Sequence, residues 1–343
     1  MTNSHTSEMR YGKELRSGSA NVSIIIPAYN VAGFIVETLN SVFTQSCEDY
    51  EIILINDGSP DTDALEKVLD PFFSRLIYVK QKNGGAASAR NAGIRMARGE
   101  WLAFLDGDDI WLPEYLARQL SLLSEKKGDL VYADALLFGE VCNSSRTFMQ
   151  TSPSSGKVTV EALISGTCNI ITSGTVVRRE AVVAAGMFDE SLPRIGMEDF
   201  DLWVRLVRAG ITITYHRDAL LKYRVRSNSL SGTNVQRAQR SVTALEIIKH
   251  KYDLSATEST ALEGQLRWAQ ANVAVEKCKL NLARNDFRAA RANIVEARAF
   301  DPRLKLKVLS ALLGVSPRLV VKLFKTIRPN DFSFIVSGEH VAL

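Results

Sequence analysis

Cysteine is scarce in this sequence, and its spacing does not favour a metal or disulfide site. The four cysteines, Cys47, Cys142, Cys168 and Cys278, lie in apolar or helical contexts and form no C-x-x-C pair. We expect buried free thiols, as in a reducing compartment. With 21 glycines and 9 prolines in 343 residues, collagen-like, disulfide-scaffold and wholly disordered chains are also excluded.

Long apolar runs are missing as well. No window of about 18 uncharged apolar residues is present to cross a bilayer, and residues 1–20 lack the apolar core of a secretory signal. We therefore expect a cytoplasmic protein with a disordered tail over residues 1–20. The net charge of +4 is uneven: residues 1–239 hold 25 Lys+Arg and 28 Asp+Glu (−3), and residues 240–343 hold 17 and 10 (+7).

From Val22 onward, apolar runs alternate with segments of helical periodicity. Runs that are apolar throughout are typical of parallel strands covered on both faces, so the fold class is α/β. The predicted strands are 22–26, 52–55, 76–79 and 101–105. In such sheets ligands bind at the carboxyl ends of the strands. Polar clusters follow three of them: Ala28-Tyr29-Asn30, Asp57-Gly58-Ser59 and Asp106-Gly107-Asp108-Asp109.

The Asp106–Asp109 loop concentrates negative charge after a buried strand. Such crowding favours a hard cation, because Mg²⁺ or Mn²⁺ takes one or two carboxylates and fills its other positions with phosphate oxygens and water. An acidic surface turn is the alternative. The segment Lys82–Asn91, which contains Gly84, suits a diphosphate through backbone N–H groups at a helix start, although it is neither a Walker loop nor a G-x-G-x-x-G motif.

Three acids, Glu198, Asp199 and Asp201, begin a predicted helix. They are consistent with ordinary capping and dipole partners, or Asp199 is a general base within reach of an acceptor hydroxyl. Both interpretations stay open on the residues alone.

Taken in order, five segments over residues 22 to about 230 resemble family 2 glycosyltransferases of the GT-A fold, a Rossmann-like nucleotide-diphospho-sugar transferase domain. They are Val22–Asn30, Asn56–Ser59, Asn83–Gly93, Phe104–Asp109 and Glu198–Trp203. The resemblance implies an inverting enzyme that moves a sugar from a nucleotide diphosphate donor, most commonly a UDP-sugar, to a hydroxyl acceptor on a glycan or lipid-linked molecule.

The resemblance also implies roles for single residues. Asp199 matches the catalytic base, and Asp108 and Asp109 the metal site, with Asp109 supporting the loop around Mg²⁺ or Mn²⁺. The implied nucleotide-sugar-binding residues are Pro27, Ala28 and Tyr29 at the nucleobase, Glu37 nearby, Asp57 at the base or ribose, Gly84 and Arg90 in the nucleotide-side loop, and Asp106 at the ribose.

One segment departs from the pattern. Many relatives carry Tyr-Arg-x-His after the acidic helix, whereas this chain has Tyr223-Arg224-Val225-Arg226. Arginine cannot ligate a metal, because its guanidinium has no free lone pair. Arg226 is therefore predicted to neutralise the diphosphate directly, with the cation held more loosely.

Beyond the catalytic domain, predicted at 21–234, residues 235–330 form a helical region and 331–343 a tail. Part of the region resembles a single tetratricopeptide-like helix pair. Residues 302–330 hold seven Lys/Arg and no acid among apolar residues. This pattern fits either a basic amphipathic surface on the cytoplasmic face of an anionic membrane or helices docked on protein. Nucleic acid is not expected, since no reading module is recognised.

Two other functions remain open from the sequence. A nucleotidyltransferase also combines an open α/β sheet with a metal and a nucleotide, but it is expected to carry a Gly-rich phosphate loop after the first strand. An inactive sugar-nucleotide-binding scaffold is disfavoured by the presence of both Asp108 and Asp199.

Overall fold

A computed structural model of the chain describes residues 8–13, 20–139, 146–194, 196–226 and 234–327. It divides into two compact units, with the boundary between Arg224 and Val225. This boundary falls earlier than the one predicted at residue 234, because the last strand of the first sheet ends at Arg224. The predicted tail at 331–343 lies outside the described residues.

The first unit is built on one mixed sheet in which the described strands follow the order β1-β4-β3-β2-β5-β8-β7-β9-β6. The strands are β1 Glu8–Tyr11, β2 Val22–Ala28, β3 Tyr50–Asp57, β4 Ile77–Gln81, β5 Trp101–Phe104, β6 Ile110–Trp111, β7 Leu130–Phe138, β8 Thr175–Arg178 and β9 Ile213–Arg224. Its helices are α1 Ile35–Phe43, α2 Thr62–Leu69, α3 Ala86–Met96, α4 Tyr115–Lys126, α5 Phe148–Thr151, α6 Val160–Ile164, α7 Arg179–Ala184 and α8 Glu198–Arg208, with 3₁₀ turns at Asp70–Arg75 and Thr172–Gly174.

Strands β2, β3, β4 and β5 pair in parallel, as their uniformly apolar runs predict. Ile24, Ile25 and Ile26 are completely buried, so both faces of β2 are covered. The register pairs Ala28 with Asn56, which places the loops after β2 and β3 side by side at the carboxyl edge. The α/β fold class is confirmed.

The other half of the sheet is less regular along the chain. Strand β8 runs antiparallel to β5 and β7, whereas β9 is parallel to β7 and carries register shifts. These strands bring the 3₁₀ turn Thr172–Gly174 and the end of β9 to the same edge as β5, where Trp111 Nε1 donates to the carbonyl of Ser173 at 2.8 Å.

The predicted disorder of residues 1–20 is wrong for Glu8–Tyr11, which forms the edge strand β1 antiparallel to β4. Its side chains are exposed, so it contributes backbone hydrogen bonds without an apolar signal in the sequence. Arg10 additionally lies over the Phe73 ring, 5.2 Å from its centroid. Residues 1–7 and 14–19 lie outside the described ranges.

The second unit is helical: α9 Asn234–Lys251, α10 Ala256–Ala283, α11 Phe287–Phe300, α12 Leu304–Val315 and α13 Pro317–Ile327. Helices α10 and α11 pack together across a short turn, and Asn285 in that turn adopts a positive φ of 60°. Cys47, Cys168 and Cys278 are free thiols, while Cys142 lies outside the described residues. Among the helices described, none is long and apolar enough to cross a bilayer.

Candidate active site

The carboxyl ends of the parallel strands form one polar edge, as the sequence predicts. The loop after β2 is fixed to the loop after β3, because the N–H of Asn30 donates to Ser59 Oγ at 2.7 Å and that of Ala32 donates to Asp61 Oδ2 at 2.8 Å. Tyr29 is 50% exposed on this edge, whereas Ala28 is fully buried. Tyr29 and the neighbouring Asn30 are therefore the exposed residues at the end of this strand.

Asp57, the last residue of β3, is held by the loop after β4. Its Oδ1 accepts from Gln81 Nε2 and from the Gly84 N–H, and its Oδ2 accepts from the Gly85 N–H, each at 2.8 Å. Burial raises the pKa of Asp57, and these donors oppose the shift. Gly85 has φ +88°, which an L side chain rarely adopts. The loop therefore binds this carboxylate.

The contacts of Asp57 bear on the predicted role of Gly84 at a diphosphate, which stays a prediction. The sequence suggests that the backbone N–H groups of this loop bind a diphosphate, but those of Gly84 and Gly85 already donate to Asp57. A buried carboxylate next to the loop competes for the same donors. Arg194 adds positive charge here, donating to Asn83 Oδ1 at 2.9 Å and lowering the pKa of Asp57 against the effect of burial.

The Asp106–Asp109 loop places three carboxylates together after β5. Asp109 is only 1% exposed, its Oδ1 accepts from the Arg224 N–H at 2.8 Å, and its Oδ2 has no hydrogen-bond partner. Burial, followed by the charges of Asp108 and Asp106, raises the pKa of Asp109 well above its ordinary range. A Cβ at Gly107 would lie 3.1 Å from the Pro27 carbonyl oxygen, a tight contact between this loop and the end of β2.

Arg90, on α3, connects this loop to the acidic helix α8. Its Nη2 donates to Asp106 Oδ1 at 2.8 Å, and its Nη1 donates to Glu198 Oε1 at 3.0 Å. The side chain is 7% exposed. Burial alone would lower the pKa of Arg90, but the two carboxylates raise it overall. One buried cation therefore fixes the position of Asp106 relative to the start of α8.

Asp199 lies at the first turn of α8, and both of its oxygens accept a hydrogen bond. Oδ2 accepts from Thr172 Oγ1 at 2.8 Å and Oδ1 from the Phe200 N–H at 2.7 Å. Burial, with the neighbouring Glu198 carboxylate, raises the pKa of Asp199 to about 6. Met197 is the N-cap of α8 and no side chain caps the helix, so Asp199 serves the helix as an acidic residue of its first turn. A pKa near 6 also suits a general base near neutral pH. The two interpretations of Asp199 are compatible.

Arg224, the second residue of the Tyr223–Arg226 segment, contacts the carboxylate loop from the end of β9. Its Nε donates to the Asp108 carbonyl at 2.8 Å, its Nη2 contacts Glu37 Oε2, and its guanidinium lies 4.8 Å from the Phe34 ring centroid. Glu37, predicted near the nucleobase, is thus joined to the Asp108 loop. Tyr223 is buried near the same acids, and burial together with the charges of Asp109, Asp106, Asp108 and Asp199 raises its pKa.

The structure therefore assembles most of the predicted residues at one edge: Pro27, Ala28, Tyr29, Asp57, Gly84, Arg90, Asp106, Asp108, Asp109 and Asp199. Arg226 lies beyond the unit boundary at Arg224, so its role at a diphosphate stays a prediction. The sequence did not indicate Glu198 and Thr172 as partners of Arg90 and Asp199. Both pairs join residues that are far apart in the sequence, so no local pattern predicts them.

The donor set fits a hard divalent cation that the protein shares with a ligand. Within the described ranges, no group of three or more His, Cys, Asp or Glu side chains is arranged as a complete metal site. Asp109 Oδ2 is buried without a hydrogen-bond partner, and the carboxylates of Asp108 and Asp106 lie close enough to raise the pKa of Asp109 further, after burial. Mg²⁺ and Mn²⁺ commonly take one or two carboxylates and complete their shell with phosphate oxygens and water.

Residues 23–184 match the model of glycosyl transferase family 2. The chain is 30% identical, over 66% of its length and 86% of the relative, to an Escherichia coli protein named UDP-Glc:alpha-D-GlcNAc-diphosphoundecaprenol beta-1,3-glucosyltransferase WfaP. It is 31% identical over 64% of its length to an uncharacterised glycosyltransferase of Rickettsia conorii, of which it spans 36%. The chain thus covers only about a third of that Rickettsia relative.

Solved structures share the fold. Staphylococcus aureus TarS 1–349 in complex with UDP-GlcNAc aligns with a TM-score of 0.55 and 18% identity, covering 82% of this chain and 92% of that one. The mannosyltransferase PcManGT of Pyrobaculum calidifontis, in complex with GDP-Man and Mn²⁺, aligns with a TM-score of 0.60 and 17% identity, covering 94% and 87%. At these identities the likeness concerns the fold.

Proposed function

Because this chain is a member of glycosyl transferase family 2, we propose that it transfers a sugar, with inversion, from a UDP-sugar to a hydroxyl of a lipid-linked glycan. The printed name of WfaP combines a UDP-sugar donor with a diphosphoundecaprenol-linked acceptor, and TarS was solved with UDP-GlcNAc. Both names support the donor class, and the former supports the acceptor class. PcManGT, solved with GDP-Man, is the reason to test other bases.

In this proposal the donor nucleotide lies along the edge formed after β2, β3 and β5. Tyr29 stacks on the nucleobase, since its ring is half exposed there. The Asp57 carboxylate, held by three donors, accepts hydrogen bonds from the base or ribose, and Asp106 accepts from the ribose hydroxyls. Preorganised acceptors of this kind bind a polar ligand without further ordering of the loops.

Asp108 is more accessible than Asp109. Its carboxylate is the proposed direct ligand of Mg²⁺ or Mn²⁺, and the buried Asp109 is proposed to support the loop that carries it. When bound, the cation would stabilise the charge that develops on the diphosphate leaving group. Arg226 would offer bidentate hydrogen bonds to the same diphosphate. The Mn²⁺ in the PcManGT complex supports a divalent cation in this fold.

Asp199 is the proposed general base. With its pKa raised to about 6, its carboxylate is mostly ionised at pH 7 and accepts the acceptor proton as the hydroxyl oxygen attacks the anomeric carbon. The bond from the anomeric carbon to the diphosphate oxygen breaks in the same displacement, so the anomeric configuration inverts without a covalent intermediate. Thr172 and the Phe200 N–H orient the carboxylate.

The single observation that carries this proposal is the buried Arg90 bridge. By joining Asp106 to Glu198, it connects the proposed donor loop with the residue next to Asp199. The loop proposed to bind the donor and the helix that carries the proposed base are thereby held in a fixed relation, which favours a single displacement.

A donor panel tests the proposal. The protein is incubated with UDP-, GDP- and dTDP-sugars, Mg²⁺ or Mn²⁺, and polyprenyl-diphosphate-linked sugar acceptors, and release of the nucleoside diphosphate is measured together with the extended lipid product. We expect one UDP-sugar to be used, an acceptor-dependent rate, and loss of turnover in EDTA. Release of a nucleoside monophosphate or pyrophosphate, or activity independent of any acceptor hydroxyl, would contradict the proposal.

A further inference from the structure

The last two helices described, α12 and α13, pack through one face against α10 and α11 of the same unit. Leu306, Leu313 and Val320, spaced seven residues apart, are buried in a core with residues of α10 and α11 such as Ala274 and Ile294. This face accounts for the folding of the two helices, because a helix in a globular protein is held mainly by one buried apolar stripe.

A second apolar stripe on the same helices is exposed. Three members, Val308, Leu312 and Val315, lie on α12, and two, Leu319 and Leu323, lie on α13. Within each helix they are three or four residues apart, as neighbours on one side of a helix are. The exposed fractions are 49% for Val308, 38% for Leu312, 87% for Val315, 47% for Leu319 and 42% for Leu323. We call these five residues the apolar stripe. The core formed by the opposite face does not require them.

Exposed cations flank the stripe: Lys305, Lys307, Arg318, Lys322 and Lys325. The sequence holds no Asp or Glu from residue 302 to residue 330. We propose that the apolar stripe and these cations form a surface that lies on an anionic lipid bilayer, with the apolar side chains among the acyl chains and the ammonium and guanidinium groups at the lipid phosphates. Helices with this distribution lie in the plane of a membrane interface.

Charge favours lipid over a second copy of the chain. A symmetric dimer through the stripe would face the same five cations with each other, and like charges brought together across a desolvated interface are unfavourable. An anionic bilayer offers both the opposite charge and an apolar layer. The proposal does not depend on the glycosyl transfer, since vesicle binding is measured without donor or acceptor.

The test is flotation of the full chain with vesicles of phosphatidylcholine alone or with about 30% phosphatidylglycerol. We expect the protein to float only with the anionic vesicles, and to be released several-fold as salt rises from 0.1 to about 0.5 M, because screening weakens the attraction. The double variant Leu319→Gln/Leu323→Gln is expected to reduce partitioning at least about tenfold, because two apolar side chains no longer enter the acyl layer.

Matched controls keep the test specific. Val183→Gln and Val295→Gln change valines that are 48% and 58% exposed outside the stripe and are expected to bind vesicles like the wild type. Arg318→Glu/Lys322→Glu, compared with Lys126→Glu/Arg217→Glu at other exposed cations, tests charge independently if the leucine variant does not fold.

Three results would overturn the proposal. They are equal flotation with neutral and anionic vesicles, no flotation with either, and unchanged binding of the folded Leu319→Gln/Leu323→Gln and Arg318→Glu/Lys322→Glu variants. A dimer in analytical ultracentrifugation that Leu319→Gln/Leu323→Gln dissociates would instead assign the stripe to a second copy of this chain.

Discussion

Replacing Thr172 with valine removes a single hydrogen bond from the proposed base. Thr172→Val keeps the shape and volume of the side chain, while Asp199 Oδ2 loses the donor that lies 2.8 Å away. The bond from Phe200 to Oδ1 remains. Because the hydroxyl stabilises the ionised carboxylate, its removal raises the pKa of Asp199.

A hydrogen bond to a charged group contributes about 1.5–3 kcal/mol, which corresponds to roughly one to two pKa units. Starting from a pKa of about 6, we expect the acidic limb of the kcat profile to move to about 7–8. Transfer at pH 6.5 should then fall about threefold to twenty-fivefold, since less of the base is ionised, and should return close to the wild-type rate by about pH 9.

The assay is kcat against pH with saturating donor and acceptor, using Thr44→Val as the control because the Thr44 hydroxyl donates to the backbone of α1 outside the site. An acidic limb that stays in place in Thr172→Val, or a loss of rate that is the same at every pH, would refute the assignment of Thr172 as the residue that sets the pKa of Asp199.

Three further predictions concern the bridge, the loop and the cation. Arg90→Met leaves two carboxylates without their buried cation, which is expected to cost about 3–5 kcal/mol of stability and to lower the melting temperature by roughly 10 °C. Arg95→Met, at an exposed ion pair, should lower the melting temperature far less in the same thermal scan. Equal shifts for the two variants would contradict a stabilising role of the Arg90 bridge. Gly85→Ala (φ +88°) should weaken nucleoside diphosphate binding about tenfold or more by disturbing the N–H groups that hold Asp57, whereas Gly186→Ala, with a similar φ of +85° and open space around it, should bind normally by calorimetry. Asp108→Asn should raise the Mn²⁺ concentration for half-maximal transfer at least about tenfold, because a neutral amide is a weaker ligand than a carboxylate; an unchanged metal titration would remove Asp108 as a ligand.

The parallel half of the fold could be predicted because its signals are local. The isoleucine-rich run that becomes β2 and the acids that follow β5 lie next to each other in the sequence. Parallel pairing then brings the carboxyl ends together whatever the helices contain. Tyr29, Asp57 and Asp106 therefore lie at one edge, as the pattern indicates.

The rest of the site depends on contacts that no local pattern encodes. Arg90 and Glu198 are 108 positions apart, and Asp199 and Thr172 are 27 apart. The Gly84 N–H, predicted to bind a phosphate, donates to Asp57 instead. This contact depends on the pairing of β3 with β4, which a local pattern does not specify. Strand β1 escaped prediction because an exposed edge strand needs hydrogen bonds to its neighbour rather than an apolar face.

The central claim is that Asp199 acts as the base of a transfer whose donor is bound by other residues. The most direct test measures transfer and nucleoside diphosphate affinity in the same preparation of Asp199→Asn, with the exposed Asp63→Asn as control. We predict that Asp199→Asn binds the nucleotide within about threefold of wild type while transfer falls about 10²- to 10⁴-fold, the usual contribution of a general base. Transfer within tenfold of the wild-type rate would contradict the account.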